Sequence, residues 1–423
     1  MKEERGGSAM DRTRRTRAGR KGGVVLAAGL LLGVASPAVW AQSTFEEPPV
    51  LRAANLAPAN LLAGPGFAVD AQVPVEAFLY RFTIRADVGL FEVNGSSLLP
   101  IRVQEVKALQ KLHETSNTKE FAEAVVQAGA RPVQSAANML LHPADTISGV
   151  PGGVERLFGR IALGAESIGA ASSSPDQSGV AQAGKVTATA LGYEAERRKM
   201  AKELGVDPYT SNPVLKKELD DVAWVRFAGR FAVNTTISVM VPASIAISGT
   251  TWVNSTIFDT PAADLMVANE KKLQGMGVPD ATVKAFMANQ WLTLSLKTGL
   301  VEALSRLGNV GGREEVVAFA SRAASLEEAR FIVGSMEMLA RYQQTGNPIV
   351  LVTAPGPIVG RTASGGVVLP AALDYVVWTE RMAHVARRPD LQGPSRIALL
   401  SGKLTPMAKQ QFAAAGWTVQ EGF

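Results

Sequence analysis

The sequence predicts an α+β fold that is predominantly helical, with a small N-terminal antiparallel sheet, a central all-α domain and a small C-terminal α/β piece. Three observations predict it. Phe78, Tyr80, Phe82 and Ile84 fall at alternate positions, the two-residue period of a half-buried strand. Between Lys185 and Gly346 the apolar spacing turns helical and is punctuated by Gly205, Gly275, Gly277, Gly311 and Gly312. After Arg396 the chain reads strand, helix, strand.

Residues 1–41 read as a signal peptide. The basic RTRRTRAGRK precedes an apolar run, and Val39-Trp40-Ala41 presents small residues at the two positions a signal peptidase reads, so cleavage is expected after Ala41. Met10 is an alternative start that keeps the basic region, and Arg14-Arg15 raises the twin-arginine route. A retained anchor is the alternative, but the uncharged run is at the short end of the ~20 apolar residues that cross a bilayer.

Export changes what the charge means. The chain carries 43 Lys and Arg against 38 Asp and Glu, a formal +5, and removal of residues 1–41 leaves 35 of each. A processed chain of zero net charge lacks the electrostatic attraction that supplies most non-specific DNA affinity, so no nucleic-acid partner is expected. There are no cysteines, which excludes disulfides and thiolate chemistry. The location predicted is the periplasm or outer envelope.

A Pro-rich lead-in, 42–66, comes next. Residues 67–145 form the sheet with a helical cover: Asp87–Gly89 and Asn94-Gly95 carry turn chemistry, the latter a hairpin signal, and Val103, Val106, Leu109 and Leu112 fall on one helical face. A second helix is expected over 118–128. Residues 146–184 are Gly- and Ser-rich, a linker too poor in large apolar groups to offset its ordering entropy.

The helical domain, 185–346, has expected helices near 188–204, 213–232, 261–274, 279–289, 313–323 and 326–344, with Ser325 to Glu328 as a capping box. Within it, 231–258 contains no charge at all; a buried hairpin is expected, with membrane insertion as the alternative. In the C-terminal α/β domain, 347–423, three short strands lead into a helix over 371–387, and a strand, a helix from Thr405-Pro406 and a last strand follow. Such a unit favours parallel strands.

The densest polar cluster is DPYTSNP, Asp207 to Pro213. Gly205 suits the left-handed position past a helix end, and Asn212-Pro213 suits an N-cap with proline at the first helical position. Thr260-Pro261 and Thr405-Pro406 repeat the device. The cluster is therefore read as a joint, with Asp207 solvated and Asn212→Ala costing about 1 kcal/mol, restored by Asp or Ser. One carboxylate in the loop is too few for a metal, and none is expected.

His113, His142 and His384 lie far apart, outside any HExxH pattern, and no GxSxG elbow marks a nucleophile. Ser401, Gly402, Lys403 and Thr405, at a strand end before a helix, are a weak anion-site candidate that lacks the full phosphate-loop pattern. No cofactor is expected, and no catalytic residue is nominated.

GVPGGVERLFGR, LGVDPYTSNPVLKKELD and LTPMAKQQFAAAGWTVQ, together with AFLYRFTIRADVGLFEVNG, resemble a family of secreted proteobacterial proteins of unknown function. The resemblance implies export and a shared multi-part fold and transfers no site residue. The function expected is an exported, non-catalytic envelope binding or scaffold protein whose partner is an envelope protein or the membrane surface. The alternatives are a periplasmic hydrolase with its site between the helical and C-terminal domains, and a membrane-inserting protein using 231–258.

Overall fold

A hairpin whose turn is Asp87-Val88 opens the architecture. The computed structural model describes residues 44–119, 121, 123, 188–227 and 251–423. Strands β1 (Val50–Arg52), β2 (Ala63–Gly64), β3 (Phe67–Val69), β4 (Gln72–Glu76), β5 (Leu79–Ala86) and β6 (Gly89–Asn94) form an antiparallel sheet in the order β1-β4-β5-β3-β2, with β6 also paired to β5. A short helix, α1 (Ala59–Leu62), joins β1 to β2. Tyr80, Phe82 and Ile84 are buried as their alternation requires. Phe78 is buried too, but it stands outside the strand at a φ of 67°, a left-handed conformation that a bulky residue rarely adopts. Its carbonyl accepts the backbone N–H groups of Asp374 and Tyr375, both at 3.0 Å, and so ties the N-terminal sheet to the far end of the chain.

Asn94-Gly95 is not the hairpin its sequence signals. It ends β6, and Gly95 at φ 104° turns the chain into α2 (Leu99–Ser116), whose Val103, Val106, Leu109 and Leu112 cover the sheet. Helices α3 (Ala188–Leu204) and α4 (Pro213–Phe227) join this same core.

The remaining helices are α5 (Thr251–Asp259), α6 (Ala262–Gly275), α7 (Asp280–Ala288), α8 (Leu294–Arg306), α9 (Arg313–Ala320) and α10 (Leu326–Gln344). They lead into β7 (Ile349–Thr353), β8 (Val359–Thr362), β9 (Val367–Ala371), β10 (Tyr375–Val376), α11 (Glu380–Arg387), β11 (Arg396–Leu400), β12 (Lys403–Leu404), α12 (Pro406–Ala414) and β13 (Thr418–Glu421). The five-stranded sheet runs β13-β11-β9-β8-β7, parallel at β9, β11 and β13 and antiparallel at β7 and β8, while β10 and β12 pair in parallel. Helices α6–α10 share a core with this sheet.

The expectation of a predominantly helical chain with a small sheet is therefore corrected. A six-stranded and a five-stranded sheet each back a helical layer, and the central helices divide between the two cores instead of forming an all-α domain. Two physical causes hid the sheets. Strands of two or three residues, such as β1 and β2, are too short to show a period, and β9 is buried almost throughout, which removes alternation. Helix α8 is absent from the sequence expectation because Gly299 and a Ser/Thr-rich start obscure its pattern. The helix expected over 371–387 is shorter, since 371 closes β9, 375–376 form β10 and only Glu380–Arg387 is helical. Thr405 caps α12 through Ala408 N–H, but α6 is preceded by Pro261 with no side-chain cap, so Thr260 does not repeat that role.

The signal peptide, the linker, most of the helix over 118–128, His142 and residues 231–250 of the uncharged run lie outside the described residues. Of that run, Ile257 in α5 is fully buried. No helix among the described residues is long and apolar enough to cross a membrane.

Candidate functional site

The DPYTSNP loop is a joint, and it is also the wall of a cleft. Gly205 takes the left-handed φ of 65° that ends α3, and the Asn212 side-chain oxygen accepts from Val214 N–H at 3.1 Å and Leu215 N–H at 3.3 Å to start α4. Both local assignments follow the sequence. The surroundings do not, because Asn212 is fully buried and its Nδ2 donates to Glu105 Oε2 at 3.2 Å.

Glu105 is the centre of a buried polar node. Its carboxylate also accepts from Arg102 Nη1 and from the Thr210 hydroxyl, while Arg102 Nη2 reaches Ser211 Oγ at 3.1 Å. Arg102 and Glu105 are 4% and 2% exposed as side chains, which makes this a desolvated ion pair that depends on its extra hydrogen bonds. The sequence carries one signal of it: Arg102, Gln104 and Glu105 sit directly beside Val103 and Val106, so the polar residues must share the buried flank of α2.

Asp207 is the second anchor. Its Oδ1 accepts Tyr209 N–H at 2.8 Å, an Asx-type turn, and the hydroxyl of Ser295 in α8 at 2.7 Å. The expectation of a solvated carboxylate is corrected: some surface of the residue remains accessible, yet burial pushes its carboxyl up to about 6, against the opposing effect of the Ser295 and Tyr209 donors. Close by, burial and then Arg102 bring the guanidinium of Arg330 down to about 10, and Arg330 Nη2 lies 3.4 Å from Ser97 Oγ.

Of these residues Arg102, Tyr209, Thr210 and Ser211 border a cleft of about 590 Å³, within the range of small-ligand sites, while Glu105, Asp207, Ser295 and Arg330 border a separate small void. The lining of the cleft includes Arg197 of α3, Tyr209 of the loop before α4, Lys216 of α4, Glu92 and Asn94 of β6, Glu327 of α10, and Trp291 and Leu294. Asn94 Nδ2 donates to Glu327 at 3.2 Å and Arg81 pairs with Glu92 at 2.9 Å, which holds the two acidic side chains in place. Arg197 pairs with Asp220 at 2.7 Å. Lys216 is exposed and has no ion-pair partner among the described residues. The Tyr209 hydroxyl and Arg102 Nε are buried without a hydrogen-bond partner. Three helices, α4, α8 and α10, begin at this cleft, contributing Pro213, Leu294 and Leu326 to its lining.

The weak anion-site candidates lie elsewhere. The Ser401 hydroxyl donates to Leu373 O at 2.7 Å, Gly402 packs on the Asp374 backbone, where a Cβ would collide, and Lys403 is exposed. Thr405 accepts Ala408 N–H at 3.0 Å and donates to Glu46, so the first turn of α12 already faces a carboxylate from the lead-in. Ser401 instead borders a second groove of about 340 Å³, with Ser96, Arg330, Arg341 and Asp374. His384 is exposed in the last turn of α11, and His113 Nδ1 is buried without a hydrogen-bond partner beside Glu218. No group of three or more metal-ligating side chains occurs among the described residues.

Compared with protein-family models, with curated proteins and with solved structures, the chain matches none.

Proposed function

We propose that the protein is an exported, non-catalytic binding protein of the cell envelope, similar in kind to the secreted proteobacterial family it resembles, and that its ligand sits in the 590 Å³ cleft between the two cores. The observation that carries this reading is the cleft itself, whose lining comes from both cores and includes both basic and acidic side chains. Binding is favoured over turnover because the buried carboxylates beside the cleft are already committed. Glu105 holds three donors and Asp207 two, an arrangement that stiffens the walls and leaves neither poised on open space.

The test has two parts. Cell fractionation followed by N-terminal sequencing should recover an envelope chain that begins at Gln42; a cytoplasmic chain that begins at Met1 or Met10 contradicts export. A deproteinised periplasmic extract should raise the melting temperature of the purified protein. Gln290→Trp, which fills the cleft from an exposed loop position, should abolish the rise, and an equal rise in both proteins would place the ligand outside the cleft.

A further inference from the structure

We infer that the cleft takes a small zwitterion of the peptide class, an amino acid or short peptide with its carboxylate toward the starts of α4 and α8 and its ammonium toward Glu92 and Glu327. The inference rests on the binding reading above and deepens it.

The argument begins with the helix starts. The positive end of a helix dipole and its free N–H groups attract anions, but carboxylates in the first turn cancel that attraction. Helix α10 has Glu327 and Glu328 in its first turn, whereas α4 and α8 have no acidic residue there. The anion-attracting side of the cleft is therefore the α4 and α8 side. At α4, Asn212 consumes the N–H groups of Val214 and Leu215 and Pro213 has none, which leaves the dipole alone. At α8, Thr293 takes only Leu296 N–H, and the N–H of the cleft-lining Leu294 has no partner among the described residues.

Side chains repeat the polarity. Lys216, uncommitted, and Arg197 stand on the α4 side, and Arg102, 4% exposed, keeps Nε without an acceptor at the same cleft. The buried Tyr209 hydroxyl offers one more unmade hydrogen bond there. Glu92 and Glu327 border the same cleft and are held in place by Arg81 and Asn94. A simple anion would satisfy the basic lining residues and meet repulsion from Glu327, whose partner is the neutral Asn94 amide. A ligand with an anionic and a cationic end satisfies both kinds of side chain, and the ring of Trp291 and the side chain of Leu98 add apolar surface to the lining.

The test is calorimetric titration of the purified protein with trialanine, its C-terminal amide, its N-acetyl derivative and inorganic phosphate. Trialanine should bind, and each capped form should bind at least tenfold more weakly. Lys216→Glu, at an exposed position that leaves the fold intact by circular dichroism, should weaken trialanine at least tenfold while changing the amide less. Equal binding of capped and uncapped peptides, phosphate binding as tightly as the peptide, or no peptide binding would each overturn the zwitterion. If peptides fail while the periplasmic extract still stabilises the wild type and not Gln290→Trp, the ligand class falls and the cleft reading stands. If both fail, both fall.

Discussion

The Ser295 hydroxyl donates to Asp207 Oδ1 at 2.7 Å, and through this bond the loop that starts α4 in one core is joined to α8 in the other. Because the carboxyl of Asp207 is raised to about 6 from 3.8, chiefly by burial, the folded state binds its proton more tightly than the unfolded state does. Stability from this group is therefore greatest below pH 4 and declines as pH rises through about 6, by up to about 3 kcal/mol. Asp207→Asn should flatten that part of the stability profile, as measured by urea unfolding at several pH values between 4 and 7. An unchanged slope would mean that Asp207 is solvated after all.

Asn212→Ala should cost about 2–3 kcal/mol, more than a helix cap alone, because it also strips a hydrogen bond from the buried Glu105. Asn212→Asp, which a solvated cap would tolerate, should fail to restore stability, since it sets a second carboxylate against Glu105. Chemical denaturation of the two variants checks this, and full recovery in Asn212→Asp would show that the Glu105 contact contributes nothing.

Glu46 clasps the C-terminal unit to the lead-in: Trp378 N–H donates to its carboxylate at 2.6 Å and the Thr405 hydroxyl donates to it as well. Glu46→Ala should cost about 1–3 kcal/mol and speed hydrogen exchange at Trp378 and in the first turn of α12. Exchange that accelerates evenly across the molecule would argue against a local clasp.

Gly312 starts α9 at a φ of 80°, and a Cβ there would run into the Val352 carbonyl. Gly312→Ala should therefore lower the unfolding free energy by at least about 1 kcal/mol, since strain and collision act together. Gly277→Ala has a similar φ of 82° but open space around it, and should cost less. Thermal unfolding of the pair separates collision from backbone strain.

What the sequence made legible was local. The alternation of Tyr80, Phe82 and Ile84, the Asn212 cap, the Ser325 cap that takes Glu328 N–H at 3.2 Å and the parallel β11-α12-β13 unit all depend on residues close in the chain. The Glu328 side chain reaches back to Ala324 N–H at 2.9 Å, one residue before the cap itself. The cleft was not legible, because Lys216, Trp291 and Glu327 approach only through the meeting of the two cores. The position of Arg102 and Glu105 beside Val103 and Val106 hinted at their burial, but their partners did not show, since Ser211, Thr210 and Asn212 lie more than a hundred residues away.

Hydrogen exchange of the purified protein, with and without the deproteinised periplasmic extract, tests the ligand's location most directly. The account predicts slower exchange at 209–217, 290–296 and 325–328, the segments that build the cleft. Protection confined to 372–374 and 401–405, around the second groove, or no protection anywhere, would contradict it.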